Sequence, residues 1–195
     1  MTTLNERIKE DGIVIDERIL KIDSFLNHQI DPILIDQIAE KFYDHYQEAG
    51  VTKILTIEAS GIAPALMTAH KFGVPMLFAK KATPSTLLEE QYKTKIHSYT
   101  KDTTHSVIVS KKYLDQKDVV LIVDDFLASG QAALGLIDLV EQARGKVAGV
   151  GICVEKSFQE GRAKLEEMDI DVCSISRIAS LKDNKITFIE EAPPE

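Results

Sequence analysis

Residues 119–133 run VVLIVDDFLASGQAA: five apolar residues, two adjacent carboxylates, a loop of small residues, and Ser129-Gly130 at the start of an amphipathic segment. An unbroken apolar run describes a strand covered on both faces, as in a parallel sheet. Asp124 and Asp125 would then stand at its carboxyl end, the edge where open α/β sheets bind ligands. Small residues in the loop let the backbone approach a phosphate, which the free N–H groups of the new helix can hydrogen-bond at the positive end of the dipole. The carboxylates would repel that phosphate and fit sugar hydroxyls instead. Acids at a strand end also cap helices or hold metals, but here strand, acid pair, small-residue loop and Ser-Gly helix start occur in one order.

The same alternation of strand and helix repeats on either side of this stretch. Asp31-Pro32 is a helix start with an N-cap acid and proline at the first position, and Leu34, Ile35, Ile38, Phe42 and Tyr46 follow at helical spacing, with Gly50 as the stop. Residues 53–58, KILTIE, read as a buried strand running into Ser60-Gly61, and residues 63–72 suit a helix that tolerates Pro64 near its start. Residues 74–80, 119–125 and 147–155 read as further strands, and residues 131–143 as a helix with Ala133, Leu136, Ile137 and Val140 on one face. This pattern predicts a mainly parallel sheet with helices on both faces. Residues 56–66, TIEASGIAPAL, echo residues 122–134, IVDDFLASGQAAL: strand, acid, small residues, Ser-Gly, helix. Alone, Ser60-Gly61 reads as a capped tight turn. Paired with the second unit, it gives two anion sites on one sheet edge, the arrangement a molecule phosphorylated at both ends requires.

Composition bounds the partners. A chain of 195 residues with 44% hydrophobic content can bury one substantial core, so one domain over residues 1–195 is expected. The apolar runs are too short to span a bilayer, and the N-terminus MTTLNERIKEDG lacks a signal-peptide stretch, so a soluble, cytoplasmic protein without a membrane partner is expected. A net charge of −8 argues against a nucleic-acid surface, though not against a phosphorylated small molecule held by local N–H groups and a few lysines. Cys153 and Cys173 lie in apolar segments and read as buried thiols, and the five histidines show no ligand spacing.

Residues 81–113 change texture, becoming polar and threonine-rich. Residues 95–99 and 106–110 read as hairpin strands joined by a polar TKDTTH tip. The tip suits a lid as well as an ordinary surface hairpin.

With these motifs in place, the chain resembles the type I phosphoribosyltransferases, whose 5-phosphoribosyl 1-pyrophosphate (PRPP) signature matches residues 123–133. Three further stretches bring it closest to the bacterial xanthine phosphoribosyltransferases: LKIDSFLNHQIDP at 20–32, TIEASGIAPA at 56–65, and GVGICVEKSFQEGR at 149–162. The resemblance implies the fold of that family, with a small hood from about residues 1–30 plus the C-terminal segment and a flexible hairpin lid over residues 98–105. It implies that Ala128, Ser129, Gly130, Gln131 and Ala132 hold the 5-phosphate and that Asp124 and Asp125, the catalytic pair, face the ribose hydroxyls. Glu58, Ala59, Ser60 and Gly61 match the pyrophosphate loop. Leu20, Asn27 and Lys156 would hold xanthine: ammonium and carboxamide supply donors to its carbonyl oxygens, and Leu20 covers the ring. Without the resemblance, Lys156 reads as a solvated lysine and Asn27 as a turn residue.

The family also implies Mg2+ carried with PRPP and a homodimer in which Lys80 or Lys81 reaches the neighbouring pyrophosphate. Relatives acting on hypoxanthine and guanine usually place a third acid where this chain has Ala128, so no general base is evident; xanthine, an acidic purine, could bind partly as its anion beside Lys156. The implied reaction is displacement of pyrophosphate from C1 of PRPP by purine N9. Two rivals stand beside it. One is the same enzyme class acting on guanine or hypoxanthine. The other is a PRPP- or purine-sensing regulator, disfavoured because the residues before the first predicted strand are too few and too acidic for a DNA-binding module.

Overall fold

A computed structural model describes residues 3–81, 90–98 and 103–189. Strand β7, Val119–Leu127, lies in the middle of an eight-stranded sheet. On its two sides run β8, Lys146–Lys156, and β3, Lys53–Ile57, both parallel to it. Beyond them β9, Val172–Ser180, and β4, Met76–Lys81, continue the parallel order. Both edges are antiparallel: β10, Thr187–Phe188, closes one side, and the hairpin β5, Gln91–Ser98, with β6, Thr103–Ser110, closes the other. The mainly parallel sheet expected from the sequence is thus present.

Alternation along β7 explains why residues 119–123 are apolar throughout. Leu121 and Val123 face a core built with helices α2, Pro32–Tyr46, and α3, Ile62–Phe72. Val120 and Ile122 face a second core built with α4, Gln131–Gln142. All four side chains are fully buried, so truncation of any one, for example Ile122→Ala, costs about 2–5 kcal/mol. The α2 start is as expected, with Asp31 Oδ1 accepting from the N–H groups of Ile33 and Leu34. Its end differs: the α-helix stops at Tyr46, and a 3-10 turn, Gln47–Ala49, intervenes before Gly50, which takes φ +69°.

The N-terminal segment holds helix α1, Leu4–Asp11, a small hairpin of β1, Ile13–Ile15, with β2, Ile19–Lys21, and a π-helical turn, Asp23–Asn27. Thr3 and Glu6 form a capping box at the start of α1. The segment meets the chain's other end, where Glu17 N–H donates to Asn184 and Asp183 N–H donates to Glu17. Phe25 and Leu26 bury completely against α2 and the sheet and pin the turn over the carboxyl edge of β7.

The β5–β6 stem packs on α4 through Ile96, and Gln142 exchanges two hydrogen bonds with the Lys93 backbone. Of the expected lid, residues 99–102 lie outside the described residues. Among the described residues, no helix is long and apolar enough to cross a membrane. Cys153 is buried and Cys173 only partly so, because strand β9 leaves that face half open; both are free thiols.

Candidate active site

β7 does not stop at the acid pair. It continues through Leu127 because β8 offers partners as far as the Leu127–Glu155 register. The two carboxylates therefore sit inside the strand end, Asp124 6% and Asp125 9% exposed. The Asp125 N–H donates to Asp124 Oδ1 at 2.9 Å. Burial first, and the Asp125 charge second, push the Asp124 carboxyl well above the ordinary carboxylate range.

Beyond Leu127 the chain bends through residues 128–130 and enters α4 at Gln131. Gly130 takes φ +83°, a left-handed conformation that side chains resist, and its N-cap position leaves the first-turn N–H groups of α4 without a side-chain cap. A Cβ at Gly130 would lie 3.0 Å from Gly161 Cα. The Gly161 N–H in turn donates to Ala128 O at 3.0 Å. Helix α5, Gly161–Glu166, thus supports this loop from behind.

The second Ser-Gly unit lies one strand away. After β3, the Glu58–Ala59 peptide is cis, and the 59–61 turn leads into α3. Glu58 accepts from the Lys81 N–H at 2.8 Å, which ties this loop to the end of β4. A Cβ on Gly61 would collide with Thr56 Oγ1 and stand 2.8 Å from Asp124 Oδ1. Only a glycine backbone therefore fits between the first loop and the acids of the second. Ser60 is half-buried, and the side chains of Lys80 and Lys81 are exposed.

Asn27 comes to the same edge from the N-terminal segment, its Nδ2 donating to Asp125 Oδ2 at 3.1 Å. Lys156, at the end of β8, is half-buried; its Nζ donates to Arg18 O at 2.8 Å and lies 5.7 Å from the Phe126 ring centroid. Burial first, and the Arg18 charge second, lower its ammonium pKa. Leu20 is 5% exposed and packs into the core beneath the segment rather than standing free.

Beside Lys156 is a group that reading the sequence missed. Glu155 is 1% exposed, and Arg162 donates to it through Nε at 2.9 Å and Nη2 at 2.7 Å. Ser157 and Ser174 each donate a hydroxyl at 2.5 Å. Burial alone would push this carboxyl up, but the hydrogen bonds and charge of Arg162, with those serines, bring it down to about 2. The available signal was the spacing of Glu155 and Arg162 within EKSFQEGR.

The edge of the sheet thus gathers two loops with open backbone, a buried acid pair between them, and two donor side chains above. Chemically this suits a diol flanked by anionic groups, with a polar ring alongside.

The family model for the phosphoribosyl transferase domain matches residues 22–189. Xanthine phosphoribosyltransferase of Staphylococcus aureus strain MRSA252 is 58% identical over 191 residues, 98% of this chain and all of that one. The protein of the same name from strain JH9 is 57% identical over the same span. Among solved structures, adenine phosphoribosyltransferase of Rhodothermus marinus superposes with a TM-score of 0.73 at 24% identity, over 90% of this chain and 98% of that one. The Giardia lamblia enzyme complexed with 9-deazaadenine gives 0.74 at 22% identity, over 91% and 98%. At these identities the structures speak for the fold alone, and they agree with the domain match. The two Ser-Gly loops, the acid pair between them and the full-length likeness converge: the chain belongs to the phosphoribosyltransferase family.

Proposed function

We propose that the protein transfers the 5-phosphoribosyl group of PRPP to N9 of xanthine, giving xanthosine 5'-monophosphate (XMP) and pyrophosphate. The observation that carries this reading is the placement of Asn27 and Lys156, two donor side chains brought to the Asp125 end of β7 from distant parts of the chain. The full-length likeness to relatives named for xanthine supports it.

In this reading the backbone from Ala128 to Ala132 holds the 5-phosphate, and residues Glu58, Ala59, Ser60 and Gly61 hold the pyrophosphate. Asp124 and Asp125 bind the ribose hydroxyls and stabilise positive charge that develops on the sugar as the C1–oxygen bond breaks. N9 closes on C1 from the opposite side, its proton passing to water or to the departing pyrophosphate, or xanthine arrives already as its anion held beside the Lys156 ammonium. Holding the two reactants in line supplies much of the acceleration. Asn27 donates to a ring carbonyl once it leaves Asp125, and Leu20 backs the ring from below.

The family implies Mg2+. Asp124 and Asp125 are hard oxygen donors of the kind this ion takes, and among the described residues no three His, Cys, Asp or Glu side chains gather into a cage. The pair would therefore hold it only together with substrate oxygens and water, and when bound it supplies positive charge to the leaving pyrophosphate. In the same reading the chain works as a cytoplasmic homodimer, with exposed Lys80 or Lys81 directed to the second copy's pyrophosphate, and residues 1–30 with the C-terminal segment form the hood.

Incubating the protein with PRPP, Mg2+ and one purine at a time tests the reading. XMP should form from xanthine at least about tenfold faster than product from guanine or hypoxanthine. Faster turnover of either of those assigns the enzyme to that base instead, and PRPP binding without turnover of any purine assigns it to sensing.

A further inference from the structure

Glu155 and Arg162 connect two parts of the site that are separate in the sequence. Arg162 grips Glu155 with a fork of hydrogen bonds and also reaches Val172 O at 3.3 Å and Ser174 Oγ at 3.2 Å on β9. Its other terminal nitrogen donates to Glu166 at 3.1 Å. Arg177 Nε adds a longer contact to Glu155 at 3.4 Å. Five donors on a carboxylate this deeply buried leave it almost no freedom, and a planar guanidinium fixes direction as well as charge.

What this clamp holds is the turn 156–161. Its first residue is Lys156 and its last is Gly161, whose N–H carries Ala128 O and whose Cα packs under Gly130. One turn further, Lys164 Nζ donates to Ser129 O at 3.4 Å and pairs with Glu160. A shift of the Gly161 backbone therefore moves the 128–130 loop, and a shift of the β8 end moves Lys156.

We propose that Arg162 is a positioning residue for both substrates: through Glu155 it locks the 156–161 turn, and so sets the base-side Lys156 and the phosphate loop at a fixed separation. This rests on the phosphoribosyl-transfer reading above. Arg162 touches neither substrate; it acts through Glu155 and Gly161. The separation matters because base and phosphate are both held against this one turn, so a displaced turn loosens the fit of both substrates together.

Steady-state kinetics of wild type, Arg162→Gln and Arg162→Lys, each checked for folding by circular dichroism and thermal melting, test the proposal. Arg162→Gln should raise KM for xanthine and KM for PRPP together, each by roughly tenfold or more. Arg162→Lys, with the charge but not the fork, should fall between it and wild type. Loss of folded protein alone would lower apparent kcat and leave both KM values where they were. A folded Arg162→Gln whose KM for either substrate stays within twofold of wild type overturns the proposal. If that variant does not fold, Arg162→Lys decides: elevation of both KM values supports the role, and wild-type KM for either substrate refutes it. Failure of the wild type itself to form XMP is a different result, and it overturns the underlying reading.

Discussion

Asn27 Nδ2 donates to Asp125 Oδ2 at 3.1 Å, a contact between side chains 98 positions apart that latches the N-terminal segment onto the end of the central strand. The acceptor is the carboxylate assigned to ribose and the donor is the carboxamide assigned to the base. Substrates that engage both side chains must therefore take over this hydrogen bond. Asn27→Ala should raise KM for xanthine by up to about tenfold, consistent with the roughly 0.5–1.5 kcal/mol net worth of a hydrogen bond to a neutral carbonyl, and change KM for PRPP little. Amide exchange over the Asp23–Asn27 turn should also quicken in the free protein. Unchanged xanthine KM would remove Asn27 from the base site.

Asp125→Asn should separate activity from stability. The substitution removes the negative charge that, after burial, holds the Asp124 carboxyl high. Folding at neutral pH should then be unchanged or slightly improved, while turnover falls about a hundredfold or more as charge stabilisation at the sugar is lost. Thermal melting and a product assay on one preparation check both halves. Wild-type turnover would contradict the assignment.

Lys156→Ala should weaken xanthine by about tenfold or more in KM and leave KM for PRPP within about threefold. Its Nζ now donates to Arg18 O, so its loss also frees the β1–β2 turn. Equal loss of both substrates in this variant would point to displacement of the segment instead of a missing base contact.

Glu155 predicts an acid limit on stability. Its folded pKa lies at about 2, below the ordinary carboxylate value, so the ionised form is bound more tightly in the folded chain. The resulting stabilisation, about 3 kcal/mol, is complete above the unfolded-state pKa near ~4.3 and is lost as pH falls toward 2. Urea unfolding of wild type and Glu155→Gln should therefore differ most above about pH 5 and converge only as pH falls to about 2. A difference independent of pH would contradict the origin of the shift.

The sequence disclosed the frame because each of its signals is local. Asp31-Pro32 specifies a helix start through contacts within three residues, and the run 119–123 is apolar throughout because both faces of β7 are covered. The Ser-Gly echo likewise placed two loops on one edge. What escaped depends on distant partners. Glu155 resembles any charged strand-end residue until β9 brings Ser174 and α5 brings Arg162 beneath it. Asn27 is marked only by the family resemblance; from its neighbours alone it reads as a turn residue, because its partner Asp125 is met only where the buried Phe25 and Leu26 lay its turn across the strand end. Helix α1 was missed for a different reason: Thr3 and Glu6 form a legible capping box, but the mixed charges around them obscured the short apolar face of Leu4 and Ile8.

The central claim is that the backbone of residues 128–132, bent at Gly130 and supported by Gly161, cradles the phosphate of PRPP. Calorimetric titration of PRPP with Mg2+ into wild type and Gly130→Ala tests it most directly, because the added Cβ both opposes φ +83° and meets Gly161 Cα at 3.0 Å. Saturable binding by wild type, weakened about tenfold or more in a variant that remains folded, is the expected result. No heat with wild type, or the same Kd in both proteins, would contradict it.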